Sequence, residues 1–573
     1  MSILDKASLI QIPSGYKNGK LYSVKPNPSY GIELVVNGDF TTDSDWTKGS
    51  GWSIVNGEAV HTGSGDYIEQ GSLIQGTKYR VVIVVTQASG SAFPQIYMGG
   101  LTTAMTSPNT YTFDITAQSG DKIKLRGLND CKVDSISVKE VLVADGDFDF
   151  SRSSSATRVN SEGLIEVASV VSTTEEVTNG DFATDSDWVK APSGVTISGG
   201  SANFNASVDS YVYQDIITVG KTYKVTFSGV ITSGAFYIGE NGQAVNVFTS
   251  GTYVNQEATF TVLASTRFII RASSVPFVGS IDNVSVKEVI ENDVPRLDYS
   301  GGASCASLLL EPQSTNLITK SVNWDNWSEI RTTLSFEQET SPSGNQDASL
   351  LVDSTDNNTH ISQAIYYTSL GTSDVTWSLF AKKQNNRYIS LRLQDDAANV
   401  SGNTNYIIAN YDLENGTVTD TLEIGTPTNA YADIQQYGNG WYRLIISMNK
   451  KSGITRTDLQ IRLCKDGIAK TVEAFAGTGN DGNYFYGFQL EELSYPTSYI
   501  PTNGSTVTRT ADVCNGAGTS ATFNDSEGVL MFEASRLNKA DNSSVIWSIS
   551  DGSNSNAVSL YYYASGIGVD IFN

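Results

Sequence analysis

NGDFTTDSDW occupies Asn37–Trp46, and NGDFATDSDW occupies Asn179–Trp188, with a single exchange, Thr41 for Ala183. The echo extends beyond this phrase. GTKYRVVIVV (Gly76–Val85) is answered by GKTYKVTFSG (Gly220–Gly229), and VDSISVKEV (Val133–Val141) by IDNVSVKEV (Ile281–Val289). Start, middle and end all correspond, so each copy is a complete unit of a little over a hundred residues, an ordinary domain size. Two copies are too few for a solenoid, and each is expected to bury its own core. YRVVIVV, TYTFDIT, YKVTFSGV and EATFTVLA alternate apolar with polar side chains, giving each strand one dry and one wet face. Two such sheets packed face to face make a β-sandwich.

The rest of the 573 residues keeps this character. Gly (51) and Tyr (28) are abundant, and no long segment has helical periodicity, so the class is all-β. A length of this order divides into three or four domains. The 37 basic and 61 acidic residues leave a net charge of −24, a field that repels a polyanion and argues against nucleic acid as the partner. Cys131, Cys305, Cys464 and Cys514 are widely spaced, which is neither a disulfide framework nor a zinc site and suits a reducing cytoplasm. MSILDKASLIQIPSGYKNGK lacks the apolar core of a signal peptide, and no segment has the apolar length of a membrane helix, so neither standard export nor membrane insertion is expected.

Asn-Gly-Asp-Phe, a short spacer and Trp, with the closing (V/I)-D-x-(I/V)-S-V-K, resembles the first and last strands of jelly-roll carbohydrate-binding modules. Phe40, Trp46, Phe182 and Trp188 have the size to plug one end of a sandwich. For Asp134 and Asp282 two fates stay open: capping a turn, or helping to hold a structural Ca²⁺ as in some related jelly rolls. The segments around the copies carry a second resemblance. DFDFSRSSSATRVNSEGLIEVAS (Asp147–Ser169), NDVPRLDYSGGASCASLLLEPQSTNLI (Asn292–Ile318) and SYIPTNGSTVTRTADV (Ser498–Val513) resemble the fibre and spike proteins of tailed bacteriophages, where the first phrase runs almost directly into the second. The two copies therefore read as insertions into a connecting core. The resemblance implies a homotrimeric virion appendage, on head or tail.

The expected organisation is a virion anchor (1–30), sandwich copy one (31–144), a connecting segment (145–174), copy two (175–290), a second connecting segment (291–318), a third sandwich (319–513) and the opening of a concanavalin-like sandwich (514–573). The last unit has too few strands to close that fold, so the remainder is expected from more chain or from partner chains. The anchor, with ILDKASLIQIP, is expected to contact capsid or tail proteins through sheet addition or trimer packing.

Catalytic signatures are missing. His61, expected at a sandwich edge, and His360 are the two histidines, and no nucleophile elbow, zinc-protease motif or phosphate loop occurs. The acidic pairs Asp43/Asp45 and Asp185/Asp187 raise the alternative of a glycan depolymerase, yet pairs on surface turns are ordinarily solvated and no β-helix repeat is present. The chain is therefore expected not to be an enzyme and to need no cofactor beyond the Ca²⁺ considered above. Glycan binding needs aromatic platforms. The candidates are Tyr67, Phe93 and Tyr97 in copy one, and Tyr211, Tyr213, Phe236 and Tyr237 in copy two. Of the consecutive Tyr561, Tyr562 and Tyr563, at least one points outward. Adhesion to cell-surface glycans is the expected function, and a capsid decoration without a ligand is the alternative.

Overall fold

The structure is a computed structural model. It describes residues 10–17, 20–24, 29–89, 91–98, 101–118, 122–142, 147–205, 210–242, 246–273, 276–367, 374–395, 405–451, 456–518, 544–550, 557–563 and 566–572. Much of the expected anchor (1–9, 18, 19 and 25–28) lies outside them. Among the described residues the regular structure is strand throughout, apart from two single 3-10 turns at Ser300–Gly302 and Gly438–Gly440. The chain is all-β and built of several β-sandwiches. It forms two units, one based on Tyr22–Phe148 and the other on Asp149–Cys514.

Copy one is a two-sheet sandwich. Its front sheet runs Leu101–Ala104, Phe93–Met98, Ile123–Leu128, Ser64–Gln70, Thr47–Lys48. Its rear sheet runs Asn109–Thr116, Lys78–Gln87, Cys131–Leu142, Glu58–His61, Trp52–Val55, and Ser29–Glu33 also pairs with Cys131–Leu142. Copy two repeats this order, but two long strands, Thr222–Glu240 and Asn246–Thr261, serve both sheets. The first half of Thr222–Glu240 pairs with Val278–Ile290, and the second half with Arg267–Ala272. The crossing falls at a register shift after Ile231, where Gly234 has φ 82° and a β-carbon would overlap the Pro276 carbonyl. Each copy has a separate apolar core, around Phe40, Ile68, Val81 and Leu125 in one and Phe182, Val212, Phe227 and Ile270 in the other.

The duplicated phrase is a seat for the first of these core side chains. Asn37 and Asn179 take positive φ (53° and 55°), which Asn tolerates. Their side-chain amides donate to Thr42 O and Ser44 O, and to Thr184 O and Ser186 O. Phe40 and Phe182, also at positive φ (50° and 48°), are 0% and 1% exposed, so a strained backbone is exchanged for a filled core. The Trp46 and Trp188 indoles donate back to Asn37 O (3.0 Å) and Asn179 O (2.9 Å). Gly38 and Gly180 lie against the last strand, where a β-carbon would overlap the carbonyl oxygens of Ile136 and Val284.

The third sandwich packs two six-stranded sheets. One runs Ser328–Ile330, Ile361–Tyr367, Arg456–Cys464, Tyr388–Asp395, Asn405–Asp412, Thr417–Ile424. The other runs Thr332–Glu339, Ala348–Asp353, Gly482–Glu491, Asp374–Lys383, Trp441–Asn449, Tyr431–Gln436. Trp324, Trp327, Trp377 and Phe488 fill the space between them. Val159 and Ile165 pack with Phe380, Trp441, Tyr486 and Tyr499 in a separate cluster against the second sheet.

Three short antiparallel pairs accompany that cluster, two local, Thr157–Val159 with Ile165–Val167 and Arg296–Asp298 with Ser307–Leu309, and one that joins distant chain, Ser314–Asn316 with Val507–Arg509. Their centre is charged and dry. Arg152, Arg296 and Arg509 are each at most 1% exposed. Arg152 reaches Asp512 Oδ1 at 3.0 Å, Arg296 binds the other oxygen of Asp512 and Glu311 Oε2 (2.6 Å), and Arg509 lies 3.4 Å from the same Glu311 oxygen. Arg152 and Arg296 flank copy two in the chain, and both bind the one carboxylate of Asp512. Three further strands, Ser544–Ser550, Ala557–Tyr563 and Gly566–Phe572, form an antiparallel sheet.

Two expected outcomes follow. Gly38→Ala or Gly180→Ala costs about 1–3 kcal/mol by overpacking, read by denaturant unfolding. The second concerns acid. Burial pushes Glu311 up, but Arg296 and Arg509 beside it pull it down further, to below the ordinary carboxylate range. The folded chain thus holds this proton less tightly than the unfolded one. The stability it contributes is complete above the ordinary Glu value of ~4.3 and is lost as pH falls through the folded value. Glu311→Gln should make the unfolding midpoint less sensitive to acid; an unaltered pH dependence would contradict this.

Candidate functional site

In both copies the front sheet turns its second face away from the core, and the aromatic candidates divide between the two faces. Ile68 and Leu125 are core residues in copy one, so their neighbours Tyr67, Lys124 and Arg126 point outward. Val212, Ile270 and Ile238 are core in copy two, so Tyr211, Tyr213, Ile269, Arg271 and Tyr237 point outward.

Register then shows a correspondence. Tyr67 stands opposite Arg126 on the adjacent strand, and Tyr211 stands opposite Arg271. The strand after each Tyr carries the same anchor: Gln70 holds the Val36 backbone through N–H and C=O, and Gln214 holds Thr178 in the same way. The Tyr–Arg pair therefore occupies the same place in both modules. Gln95 adjoins Arg126 in copy one, and Tyr237 adjoins Arg271 in copy two.

The surroundings of the pair differ. In copy one the Tyr67 and Tyr97 rings meet edge-on at 5.8 Å, and Lys124 lies 5.9 Å from the Tyr67 ring. The Arg126 Nε and Gln95 Oε1 are buried and have no hydrogen-bond partner. In copy two Tyr211 and Tyr213 are 6.0 Å apart, and Arg267 lies 3.6 Å over the Tyr213 ring while Asp215 holds its Nε at 2.9 Å. The Asp215 hydrogen bond, only partly offset by burial, holds the Arg267 guanidinium above its ordinary value, so it stays charged. Tyr237 is only 7% exposed and Ile269 3%, although both face away from the core. Tyr237 is thus covered and leaves little ring for a sugar, while Tyr211 and Tyr213 beside it are half-buried.

Several expectations are corrected. Phe236 is wholly buried, stacked on Phe248 and Phe277, and cannot meet a sugar. Phe93 is half-buried and packs on the core. His61 lies inside the sandwich, not at its edge: it is 0% exposed, 4.9 Å from Trp52, with Nδ1 2.7 Å from Asn129 O. The calcium reading of Asp134 and Asp282 finds no ligand set. Asp134 is the extra residue of a β-bulge, and the Asp282 carboxylate accepts from Asn283 N at 2.6 Å and Asn283 Nδ2 at 3.0 Å. Among the described residues no group of three His, Cys, Asp or Glu side chains is placed to hold a metal ion. The acidic pairs serve their loops: Asp43 binds Lys48, Asp185 binds Lys190, and Asp45 and Asp187 accept from Ser44 and Ser186. Tyr561 is half-buried, and the side chains of Tyr562 and Tyr563 lie outside the described residues.

Sequence reading missed Arg126, Arg271, Gln95 and Lys124. The signal lay in the alternation of KLR and IIR, which sets each Arg two residues from an outward neighbour on a strand whose partner carries the Tyr.

No family model matches the chain, and no curated relative matches it. Among solved structures it is similar to the tandem CBM22 domains of Paenibacillus barcinonensis Xyn10C, at 9% identity over 56% of this chain and 98% of that one, TM-score 0.20. It is also similar to the M60 catalytic domain with CBM51 domains of Clostridium perfringens ZmpB, at 12% identity over 78% of this chain and 56% of that one, TM-score 0.16. A triple jelly-roll protein of the turret of an archaeal virus gives 10% identity over 78% and 90%, TM-score 0.13. Overlaps this partial transfer no function to the chain.

The two faces of the front sheet predict opposite responses to truncation. Phe236→Ala should cost about 3–5 kcal/mol, whereas Tyr67→Ala and Tyr211→Ala should each stay within about 1 kcal/mol of the parent. Thermal and denaturant unfolding of the full chain checks both.

Proposed function

We propose that the protein is a structural appendage of a tailed-phage virion that presents paired glycan-binding sandwiches to a cell surface, without catalytic activity. One observation carries the binding part: both modules place a Tyr–Arg cross-strand pair at the same position on the face turned away from the core. Tyr67 and Tyr211 are half-buried there, so each leaves part of its ring open to solvent. Tyr rings offer flat apolar area to a pyranose, and guanidinium and amide groups supply directional donors for hydroxyls. Two weak sites on one chain, multiplied in a trimer, gain by effective concentration.

The appendage part is supported by the phage-fibre wording of the two segments that enclose copy two and of the segment that closes the third sandwich, which together supply Arg152, Arg296, Glu311, Arg509 and Asp512 to one buried cluster. Residues of that wording thus have a shared physical task. The trimer, the contact with capsid or tail proteins and the virion location belong to the same proposal.

A glycan array probed with the full chain and with a Tyr67→Ala/Tyr211→Ala double variant tests the binding reading. The parent should retain a set of neutral glycans that the double variant loses at least tenfold, with the single variants intermediate. Equal retention by parent and double variant would remove glycan binding from these faces.

A further inference from the structure

The two modules place their Tyr–Arg pair alike but surround it with different chemistry. Register aligns the outward positions. Gln95 beside Arg126 matches Tyr237 beside Arg271. Two residues after each Tyr, copy one sets Glu69 opposite Lys124, and copy two sets Tyr213 opposite Ile269. Around its pair, copy two is aromatic and aliphatic, and copy one is polar and charged.

Among the described residues, three cations on the copy-one face meet one carboxylate. Lys122, Lys124 and Arg126 alternate with the core residues Ile123 and Leu125. Glu69 serves Lys122 at 2.6 Å and Lys124 at 3.4 Å. Asp66, next to Tyr67, holds its own loop: it accepts from Tyr67 N (2.9 Å), Ser50 Oγ (2.9 Å) and Gly51 N (3.4 Å). No described carboxylate lies within ion-pair distance of Arg126. In copy two, by contrast, Arg267 has Asp215 on its Nε at 2.9 Å.

Arg126 is also within reach of a ligand. The residue is half-buried, with its Nε covered and unpartnered. Gln95 Oε1 is covered and unpartnered too, so the neighbouring amide does not serve as its acceptor. The two terminal nitrogens reach solvent and make no hydrogen bond to the described residues. Beside them the Tyr67 and Tyr97 rings stand 5.8 Å apart, and Tyr97 is 38% exposed. Apolar ring area and an open guanidinium thus share one face, on a chain whose net charge of −24 otherwise disfavours anions.

We propose that the copy-one face selects saccharides that carry a carboxylate, held on the terminal nitrogens of Arg126 with the sugar ring against Tyr67 and Tyr97. The proposal rests on the glycan-binding reading above and adds the charge of the ligand to it. A carboxylate accepts two parallel N–H bonds from one guanidinium, which fixes orientation as well as charge. Half-burial of Arg126 keeps that bond partly out of water, where it is stronger than on an open surface. Lys124, already drawn to Glu69, adds only to the local positive potential.

Titration of the full chain carrying Tyr211→Ala, which removes the copy-two platform, tests the proposal. The probes are trigalacturonate, trimannuronate and a hyaluronan tetrasaccharide, each beside its carboxyl-reduced neutral form. At least one acid should bind about tenfold more tightly than its reduced form, or better. Arg126→Gln on this background should abolish the preference and leave the unfolding midpoint unchanged, since Arg126 has no protein partner to lose. Tyr67→Ala should weaken acid and reduced forms together. Failure of all three acids, equal binding of acid and reduced form, or a preference that survives Arg126→Gln would each overturn the proposal. So would acid binding indifferent to Tyr67→Ala, or acetate displacing the saccharide at equal concentration, either of which would reduce the face to a bare anion contact. The glycan-binding reading fails separately, when neutral glycans are retained equally by the parent and by Tyr67→Ala/Tyr211→Ala.

Discussion

Three buried guanidiniums sharing two carboxylates constrain the second unit more than any other feature. Taking such charges out of water costs several kcal/mol each, and the cost is recovered only if geometry is maintained on every partner. Asp512 accepts from Arg152 with one oxygen and from Arg296 with the other, while its neighbour Arg509 shares Glu311 with Arg296. These residues come from four places in the chain, and loss of Asp512 would leave Arg152 buried without an ion partner. A cluster of this kind adds little net stability compared with an apolar plug, but it specifies one arrangement of segments.

That specification holds together the chain on either side of copy two. A module of about a hundred residues whose first and last strands are antiparallel neighbours, Val170–Val171 against Val289–Ile290, can leave and re-enter a framework at nearly one point. Arg152 and Arg296 stand just outside those strands. The module then needs only its own core, and the seat made by Asn179, Gly180 and Phe182 closes it. On its outward face Tyr237 and Ile269 are buried, while Tyr211 and Tyr213 beside them are half-buried. The third sandwich also receives the framework on one outer face, through Phe380, Trp441 and Tyr486.

What was legible in the sequence was what periodicity and repetition report. Alternation in YRVVIVV or RYISLRLQ fixed strands, and the doubled phrase marked modules. The aromatic faces were partly legible, because Tyr67, Tyr97, Tyr211 and Tyr213 do face outward. Phe236 was misjudged for a physical reason: in YIGE-like runs of a long strand that crosses between sheets, alternate residues change from solvent to core, and only the register shift after Ile231 shows where. Asp134 and Asp282 drew attention as carboxylates, yet a bulge and an Asx contact occupy them. Alternation in KLR and IIR turns the arginines outward, but their partners lie across strands: Arg126 with Tyr67, Arg271 with Tyr211. Pairing of that sort is a property of register, which a single strand does not contain.

The central claim is that copy two is a self-sufficient module fastened at both ends through Asp512, and native-state hydrogen exchange on Asp512→Asn measures it most directly. Protection should fall together in Thr157–Val167, Arg296–Leu309 and Val507–Arg509, while Tyr211–Asp215 and Arg267–Ala272 within the module keep theirs. Loss confined to Val507–Arg509, or collapse of protection throughout the module, would contradict the account.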